Sequence, residues 1–376
     1  MPAAEPACLL IADISGYTRY LSGVELDHAH DILADLVGTV VKTLQSQFRL
    51  AGLEGDAVFV YSPTSEVDGS VLLDVIESTY FSFQRRLESI NRASSCKCDA
   101  CRLMPTLDLK FVVHHGTMLR HEVAGRHELL GSDVIIVHRL LKNQVKETLG
   151  LSAYALISDA CIGVTTLKPQ LLGMTRYCES YDVGEVCGWA HDLHRAWHHH
   201  REQERVLVGE ARAMYTRTVE VHAPPALVFE LMTSPRHRPV WAADPMSIEE
   251  HTQTSRRGVG TLNHCVHGDG VVLEEVLDWR PPDYWTVRFE VPGAMVGMMT
   301  DSVEPFGDGS KVTVRVRVED PVDPEARQAM LAAIVPLVDA AAAGLENYVA
   351  THPIKRERIE LPSTDEASRL ATAILG

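Results

Sequence analysis

The order of strand-like and helix-like patterns in the first part of this 376-residue chain constrains its fold most strongly. An apolar segment at residues 9–12 runs directly into Asp13, and two further strand patterns surround the turn Glu54-Gly55-Asp56. Between them, apolar residues recur at three- and four-residue spacing from Leu33 to Phe48, which predicts a helix with one apolar face. The pattern is therefore strand, helix, strand, strand, with an aspartate at the end of the first strand and another in the hairpin turn.

A second helix pattern and another strand complete this unit. Apolar residues share one helix face over residues 72–90, and a strand pattern follows at residues 107–113. The order βαββαβ is that of a ferredoxin-like sheet, and a right-handed crossover makes the first two strands parallel. The first strand then ends beside the hairpin turn, so we expect Asp13 and Asp56 to lie side by side. Two such carboxylates can bind Mg²⁺ that carries phosphates, because Mg²⁺ keeps few protein ligands.

The second half of the chain has the pattern of an antiparallel sheet closed by a long helix. Residues 312–318 alternate strictly between valine and polar residues, which predicts a strand with one buried face. Apolar residues at helical spacing over 331–349 predict a long final helix, and further strand patterns lie at residues 216–221, 260–266, 271–278, 285–289 and 298–303. The expected fold class is α+β, with a ferredoxin-like domain followed by a helix-grip domain that surrounds a cavity. The expected boundaries are residues 1–190, a His-rich linker at 191–211, the second domain at 212–352 and a tail at 353–376.

Charge and hydropathy exclude several classes of protein. The net charge of −16 argues against a general nucleic-acid binder. No apolar run approaches the roughly 18 residues that span a bilayer, so we expect no membrane span. Residues 1–12 lack a basic segment and a cleavage site, so we expect no signal peptide and a cytoplasmic location. Eight cysteines are too few for a disulfide scaffold in a chain of this length, and reduced thiols or a metal site are expected instead.

Three cysteines form the motif Cys96-Lys97-Cys98-Asp99-Ala100-Cys101 between a helix pattern and a strand pattern. Three thiols within six residues favour a structural Zn²⁺ or another soft metal. A closed site needs a fourth ligand, which His114, His115 or a thiol from a partner could supply. Free reduced thiols and a Cys98–Cys101 redox pair are the alternatives.

Four motifs in the first 165 residues carry a resemblance to a known family. They are Ala12-Asp13-Ile14-Ser15-Gly16-Tyr17-Thr18, Gly55-Asp56, His114-His115-Gly116, and Gly131-Ser132-Asp133-Val134-Ile135-Ile136-Val137-His138-Arg139-Leu140, the last in a helix predicted from Asp133 to about Lys146. Over roughly residues 5–165 the chain resembles class III adenylyl and guanylyl cyclases. The resemblance implies that Asp13 and Asp56 hold Mg²⁺ or Mn²⁺ on ATP or GTP. It also implies that Arg139 stabilises the transition-state phosphate and that the chain forms a head-to-tail homodimer.

Positions that hold the base and the ribose in that family depart from its pattern. Ile135 stands where an asparagine would orient the ribose, and Gly52 stands where a lysine would select the base. Ser132 stands where a polar partner would help to select adenine. The metal half of the site is therefore kept and the nucleotide half is degraded. The alternative interpretation makes the aspartates capping or turn residues and Arg139 a helix-surface residue in an ion pair.

Residues 212–352 carry a second set of motifs in a consistent order. They include Thr218-Val219-Glu220-Val221, Ala223-Pro224, Trp241, Gly258-Val259-Gly260-Thr261, Glu274-Glu275-Val276, Trp279-Arg280-Pro281-Pro282 and Pro305-Phe306-Gly307-Asp308-Gly309. This region resembles the polyketide cyclase/START-like superfamily, also called SRPBCC. The resemblance implies an apolar cavity for a lipid, polyketide-like or aromatic ligand. If residues 263–266 form a strand, Asn263 and Cys265 share one face and His264 lies on the other, so one set could line the cavity and the other would form an ordinary strand surface.

Three functional hypotheses follow from the two resemblances. The first is a non-catalytic regulatory or sensor protein, in which the second domain binds a hydrophobic small molecule and the first forms a dimer and binds a metal–nucleotide. The second is an active nucleotidyl cyclase that the cavity ligand controls. The third is a cavity enzyme related to polyketide cyclases, against which the lack of a clear acid/base pair in the second domain argues.

Overall fold

The structure is a computed structural model that describes residues 4–22, 24, 26–93, 99–123, 126–203, 205–242, 246–267, 270–292, 295–318 and 324–352. The chain divides into two compact units, with the division between Glu202 and Gln203. The division falls inside the segment 191–211 that the sequence marks as a linker. Each unit is an α+β structure built around a sheet of its own, which confirms the expected fold class.

The first unit contains a mixed sheet with helices on both faces. Its strands are β1 (Glu5–Ser15), β2 (Arg49–Glu54), β3 (Ala57–Pro63), β4 (Asp108–Val123), β5 (Arg126–Leu130), β6 (Tyr154–Ser158), β7 (Thr175–Tyr181) and β8 (Gly184–Asp192). Its helices are α1 (Tyr17–Leu21), α2 (Leu26–Leu44), α3 (Gly69–Ala93), α4 (Asp99–Leu103), α5 (Ser132–Leu140), α6 (Val145–Leu149), α7 (Asp159–Ile162) and α8 (Leu193–Glu202).

The strand order of the first unit is β2-β3-β1-β4-β6-β8-β7, with β5 paired to β4. Strand β3 lies between β1 and β2 and is antiparallel to both, so β1 and β2 are parallel, as the βαββαβ pattern predicts. Side chains of β1 alternate between two cores. Leu10 packs with α2 and α3 residues on one face, whereas Leu9 packs with Val137 of α5 on the other.

The helix predicted over residues 133–146 is two helices, and Asn143 explains the break. Its Nδ2 donates to the carbonyl oxygen of Leu140 at 2.7 Å, and its Oδ1 accepts from the amide of Val145 at 3.0 Å. The same oxygen accepts the hydroxyl of Tyr154 at 2.7 Å. A side chain that bonds nearby backbone groups competes with the helix ladder, so α5 ends and α6 begins here.

The strands β7 and β8 form a hairpin that the sequence patterns do not reveal. Cys178 and Cys187 face each other across it in the strand register and form a disulfide. The expectation of reduced thiols is therefore wrong for this pair. The two cysteines are nine residues apart in the sequence. That spacing alone does not predict a disulfide, because it does not reveal the hairpin that brings them together. Disulfides persist mainly in oxidising compartments, so this pair does not support the expected cytoplasmic location, which stays a prediction.

The second unit is a curved antiparallel sheet with a long helix against one face. Its strands are β9 (Tyr215–Val221), β10 (Met246–His251), β11 (Leu262–His267), β12 (Gly270–Arg280), β13 (Tyr284–Val291), β14 (Met295–Phe306) and β15 (Gly309–Val318), in the order β10-β11-β12-β13-β14-β15-β9. Its helices are α9 (Pro225–Thr233), α10 (Arg238–Trp241) and α11 (Pro324–Thr351). Val314 and Val316 of β15 belong to the core that Ile334, Val338 and Leu345 of α11 complete.

Most of α11 also satisfies a length-and-composition test for membrane helices. Residues Glu325–Thr351 are long and apolar enough to span a bilayer, although no run of consecutive apolar residues reaches that length. The test is weak evidence, because the core helix of a globular unit passes it as well. Ile334, Val338, Ala342, Leu345 and Val349 are buried at one face of this helix, as expected for a core helix.

The described residues on either side of the division within 191–211 each belong to one of the two units. Residues up to Glu202 form α8, whose Trp197 is buried in the core of the first unit. After the division, the amide of Val206 donates to Asp278 at 2.9 Å, and the amide of Val208 donates to Thr300 Oγ1 at 2.8 Å. Those hydrogen bonds hold residues 206–208 on the sheet face of the second unit that points away from α11.

Gly297 provides a test of packing in the second unit. It pairs with Phe289, and a Cβ at residue 297 would lie 2.5 Å from Phe289 Cζ and 2.7 Å from the carbonyl oxygen of Arg317. Gly297→Ala should therefore lower the free energy of unfolding of this unit by about 1–3 kcal/mol, the usual cost of overpacking. Hydrogen exchange of β13–β15 amides in increasing urea measures it. Gly258→Ala is the matched control, because its Cβ would meet nothing within 4 Å; equal losses would contradict the prediction.

Candidate functional site

Asp13 and Asp56 form a carboxylate corner at one end of the sheet in the first unit. Asp13 pairs with Ala57 across β1 and β3, which places it next to Asp56 in the β2–β3 turn. Gly55 makes that turn with φ of +67°, a conformation that favours glycine. The two carboxyl groups are within hydrogen-bonding reach of each other. Burial and the neighbouring Asp13 raise the pKa of Asp56 to about 7.

Lys110 is the third member of this corner, and sequence reasoning missed it. It lies opposite Asp13 in the pairing of β1 with β4, and its Nζ lies 3.2 Å from Asp13 Oδ2. The same Nζ donates to the carbonyl oxygen of Leu141 just beyond α5 at 3.3 Å. The available signal was a lysine inside the apolar strand Leu109-Lys110-Phe111. Its positive charge stabilises the ionised carboxylates, and it lowers the pKa of Asp56 relative to what burial alone would give.

The residues of the corner fit a divalent cation that arrives with phosphates. Mg²⁺ is usually held by one or two carboxylates and by phosphate and water oxygens. Across the described residues, no group of three or more His, Cys, Asp and Glu side chains gathers at one point, so a bound cation would need those outside ligands. A cation would offset both the burial of Asp56 and its repulsion by Asp13, the two causes of its raised pKa, while Lys110 competes for Asp13.

Arg139 is held in an ion pair on the surface of α5. Its Nε and Nη2 donate to the two carboxylate oxygens of Asp182 at 2.8 Å and 2.7 Å. Asp182 lies in the turn between β7 and β8, the hairpin that sequence reasoning missed. The guanidinium lowers the pKa of the Asp182 carboxyl. The two guanidinium nitrogens that would approach a phosphate are thus bound to a carboxylate of the same chain.

The other positions at which the resemblance implies nucleotide contacts are not buried in this region. Ile135 of α5 is 52% exposed, and Ser132 is exposed in the first turn of that helix. Gly52 lies in β2, where the register with β3 shifts, and a Cβ there would meet nothing within 4 Å. Packing therefore does not exclude a lysine at residue 52 or an asparagine at residue 135, and neither side chain present can hydrogen-bond a base or ribose.

His138 connects α5 to the hairpin that carries Asp56 through a hydrogen bond and an aromatic contact. Its Nε2 lies 2.8 Å from Glu54 Oε1, and its ring lies edge-on to Phe59 with centroids 5.0 Å apart. The hydrogen bond with Glu54 raises the pKa of His138. This contact ties the helix that carries Ile135 and Arg139 to the hairpin.

A buried Ser–His–Asp chain lies nearby and is structural. His114 Nδ1 lies 2.9 Å from Ser158 Oγ, and His114 Nε2 lies 3.1 Å from Asp133 Oδ1. Ser158 is only 1% exposed and caps α7, because its Oγ already accepts the amide of Cys161. Burial lowers the pKa of His114. The chain of hydrogen bonds links β4, α5 and β6.

Cys96 and Cys98 of the expected zinc site lie outside the described residues. Cys101 is half-buried on α4 and is not in a disulfide. His114 uses both ring nitrogens in the network above, and His115 Nε2 lies 2.9 Å from the carbonyl oxygen of Thr64. The two histidines are thus already hydrogen-bonded, and the zinc site stays a prediction.

A buried polar cluster lies on the inner face of the second sheet, which faces α11. Asn263 pairs with Glu274 across β11 and β12, and Cys265 shares that face, as the alternation predicts. Arg238 of α10 donates to both Glu274 oxygens, at 2.7 Å and 2.9 Å. Burial raises the pKa of Glu274, but the charge and hydrogen bonds of Arg238, together with the hydrogen bonds of Asn263 and Cys265, lower it overall. Burial raises the pKa of Cys265 to about 12.

Asp301 of β14 belongs to the same inner face. It pairs with Trp285, whose Nε1 donates to Asp301 Oδ2 at 2.9 Å. Burial raises the pKa of Asp301 to about 7. The guanidinium carbon of Arg238 lies 5.5 Å from the centre of the Trp285 ring, a cation–π distance. Sequence reasoning missed Arg238, Glu274 and Asp301, because only the strand register brings them together.

Apolar side chains complete the inner face. Val272 pairs with Cys265, and Met299 pairs with Val287, so both point toward the helix side. Both are nevertheless only half-buried, as is Met295 at the start of β14. Inward-facing side chains that keep solvent exposure indicate that α11 does not fill this part of the space.

Two family models match the chain. One, described as a protein of unknown function (DUF2652), matches residues 33–148, and the other, polyketide cyclase / dehydrase and lipid transport, matches residues 212–350. An uncharacterized protein from Mycobacterium tuberculosis is 36% identical over 128 residues, which is 34% of this chain. The match spans 57% of that relative's length.

Several solved structures are similar to parts of the chain. The guanylyl cyclase Cya2 is 12% identical with a TM-score of 0.40, over 50% of this chain and 92% of that chain. Protein Ms6760 from Mycobacterium smegmatis is 17% identical with a TM-score of 0.31, over 40% of this chain and 99% of that chain. The second unit matches the polyketide cyclase / dehydrase and lipid transport model over residues 212–350. None of these likenesses assigns an activity to this chain.

Asp56 should make stability depend on pH. Its pKa rises from about 3.9 in an unfolded chain to about 7 in the folded unit. The folded state therefore keeps a proton that the unfolded state releases, and stability is lost as pH rises through this window. Asp56→Asn should become more stable relative to the wild type between pH 4 and pH 7, with a constant difference at higher pH. Urea midpoints of the first unit measure this; parallel pH profiles for both proteins would contradict it.

Proposed function

We propose that this protein is a regulatory protein in which the second unit binds a hydrophobic small molecule and the first unit holds a metal–nucleotide without cyclising it. The observation that carries the proposal is that neither Ile135 nor Gly52 can hydrogen-bond a ribose or a base, and the bidentate pairing of Arg139 with Asp182 adds to it. In a cyclase this arginine would stabilise the transition-state phosphate, and here its charge is neutralised within the chain. Ile135 and Gly52 leave the ribose and base without hydrogen-bonding partners.

Metal and nucleotide binding are supported by the carboxylate corner. Asp13 and Asp56 lie together, and the pKa of Asp56 is raised first by burial and then by the negative charge of Asp13. A divalent cation carrying a triphosphate would neutralise that charge, and Lys110 could turn from Asp13 to a phosphate oxygen. Exposed apolar side chains at Leu53 and Leu130, together with Ile135, favour a homodimer that covers this side of the unit.

Small-molecule binding is supported by the polyketide cyclase and lipid-transport family match over residues 212–350 and by the half-buried inner face. Binding of an apolar molecule there would remove the exposed parts of Val272, Met295 and Met299 from water, which is favourable in proportion to the apolar area covered.

The second candidate is an active nucleotidyl cyclase, which the intact carboxylate pair favours. This function would require Arg139 to leave Asp182 and reach the phosphate. Proteins of this kind form cyclic nucleotide and pyrophosphate from ATP or GTP with Mg²⁺ or Mn²⁺, so the two candidates differ in a product that can be measured.

Incubation of the full chain with ATP or GTP and Mn²⁺ should yield no cyclic nucleotide, whereas fluorescent ATP or GTP analogues should bind in the presence of Mn²⁺. Asp13→Ala should reduce that binding at least tenfold, because one of two metal carboxylates is lost. Asp35→Ala, which removes a surface aspartate paired with Arg86, is the control and should bind as the wild type does. Cyclic product that disappears in Asp13→Ala would replace this proposal with the second candidate.

Native mass spectrometry of the freshly purified chain should show an adduct that organic extraction removes. Met299→Trp should lose the adduct, because the larger side chain fills the space at the inner face. Leu273→Trp is the matched control, since Leu273 is on the opposite face of the same sheet and is 42% exposed. An adduct that survives Met299→Trp unchanged would place the molecule elsewhere and contradict this part of the proposal.

A further inference from the structure

We infer that the ligand of the second unit carries a hydrogen-bond donor, a hydroxyl or an N–H group, which binds to Asp301 Oδ1 on the inner face of the sheet, where Asn263 Oδ1 is a second unpartnered acceptor. The inference rests on the proposed ligand-binding function and names the chemical class of the ligand: an apolar body with a neutral or cationic donor at one end.

Asn263 has one orientation that satisfies its surroundings. Its amide nitrogen donates to Glu274 Oε2 at 3.3 Å, and an ionised carboxylate can only accept. The amide oxygen must therefore point away from Glu274. Among the described residues this oxygen has no hydrogen-bond partner, although Asn263 is only 5% exposed.

Asp301 presents a second buried acceptor. Its Oδ2 accepts from Trp285 Nε1, whereas its Oδ1 has no hydrogen-bond partner within the described part of the chain, and the residue is 6% exposed. Leaving a buried acceptor without a donor costs about 1–3 kcal/mol. Each such oxygen on this sheet face indicates that a donor from outside the described residues belongs there.

The charges around these oxygens select against an anionic ligand. The two terminal nitrogens of Arg238 donate to Glu274, so this cation is already paired with a carboxylate. Glu274 and Asp301 are both carboxylates and would repel a carboxylate or phosphate head. A hydroxyl, an amine or an amide N–H can donate a hydrogen bond to either acceptor without this repulsion.

The apolar body of the ligand has a surface to cover on the same face. Met299 lies in the same strand as Asp301 and on the same side, and Val272 has the same relation to Glu274. Both apolar side chains are half-buried. A molecule that spans these positions places its donor at the acceptors and its apolar part over the exposed side chains.

Matched aromatic probes test the inference on the full chain at pH 8, above the pKa of about 7 that burial gives Asp301. Nile red is displaced by 2-naphthol, by 2-methoxynaphthalene, which has no donor, and by 2-naphthoate, which is an anion. The wild type should bind 2-naphthol about tenfold or more tightly than either of the others, the equivalent of one buried hydrogen bond.

Asp301→Asn should reverse the order of the first two probes. The new amide oxygen would accept from Trp285, so the amide nitrogen would occupy the position of Oδ1 and present a donor to the methoxy oxygen. Asn263→Ser should reduce the preference for 2-naphthol without reversing it. Asp308→Asn, the same substitution at an exposed turn residue, is the control and should keep the wild-type order.

Equal binding of 2-naphthol and 2-methoxynaphthalene to the wild type would overturn the inference, since water would then serve the two oxygens, and would leave the ligand-binding function in place. An unchanged order in Asp301→Asn with an unaltered urea midpoint would overturn it too. Failure of Nile red and of all three probes to bind would overturn the proposed ligand-binding function, and this inference with it.

Discussion

The pairing of β1 with β3 on one side and β4 on the other is the interaction on which the first unit depends. Strand β1 is buried on both faces, so its register decides what each core contains. The same register places Asp13 opposite Ala57 and Lys110. A shift by one residue would turn every side chain to the other face, and the carboxylate corner would be lost together with the packing of the core.

Both units keep their functional charges in pairs within the chain. Lys110 is paired with Asp13, Arg139 with Asp182, and Arg238 with Glu274. The first two pairs are partly exposed and can open at modest cost, because exposed ion pairs contribute little to stability. The third is buried, and removing either partner would leave an uncompensated charge in the core. The ion pairs of the first unit can therefore open more readily than the buried pair of the second unit.

Most of the architecture could be predicted from periodicity, because buried faces repeat at 2 residues in strands and at 3.6 residues in helices. The predicted strands of the second unit overlap β9 and β11–β15, and the βαββαβ order of the first unit is observed. The β7–β8 hairpin could not be predicted, since Thr175–Tyr181 is mostly exposed and carries no apolar alternation. Because this hairpin was not predicted, neither the Cys178–Cys187 disulfide nor the pairing of Asp182 with Arg139 was predicted.

The sequence by itself determined the order of the elements and the placement of Asp13 beside Asp56, because right-handed crossover connections leave one way to arrange a βαββ unit. It also determined which nucleotide positions depart from the cyclase pattern, namely Gly52 and Ile135. Only the tertiary structure decided the partners of the charges, since Lys110, Asp182 and Glu274 lie far along the chain from Asp13, Arg139 and Arg238. Strand register and hairpin position bring these groups within hydrogen-bonding distance, and neither is encoded in local spacing.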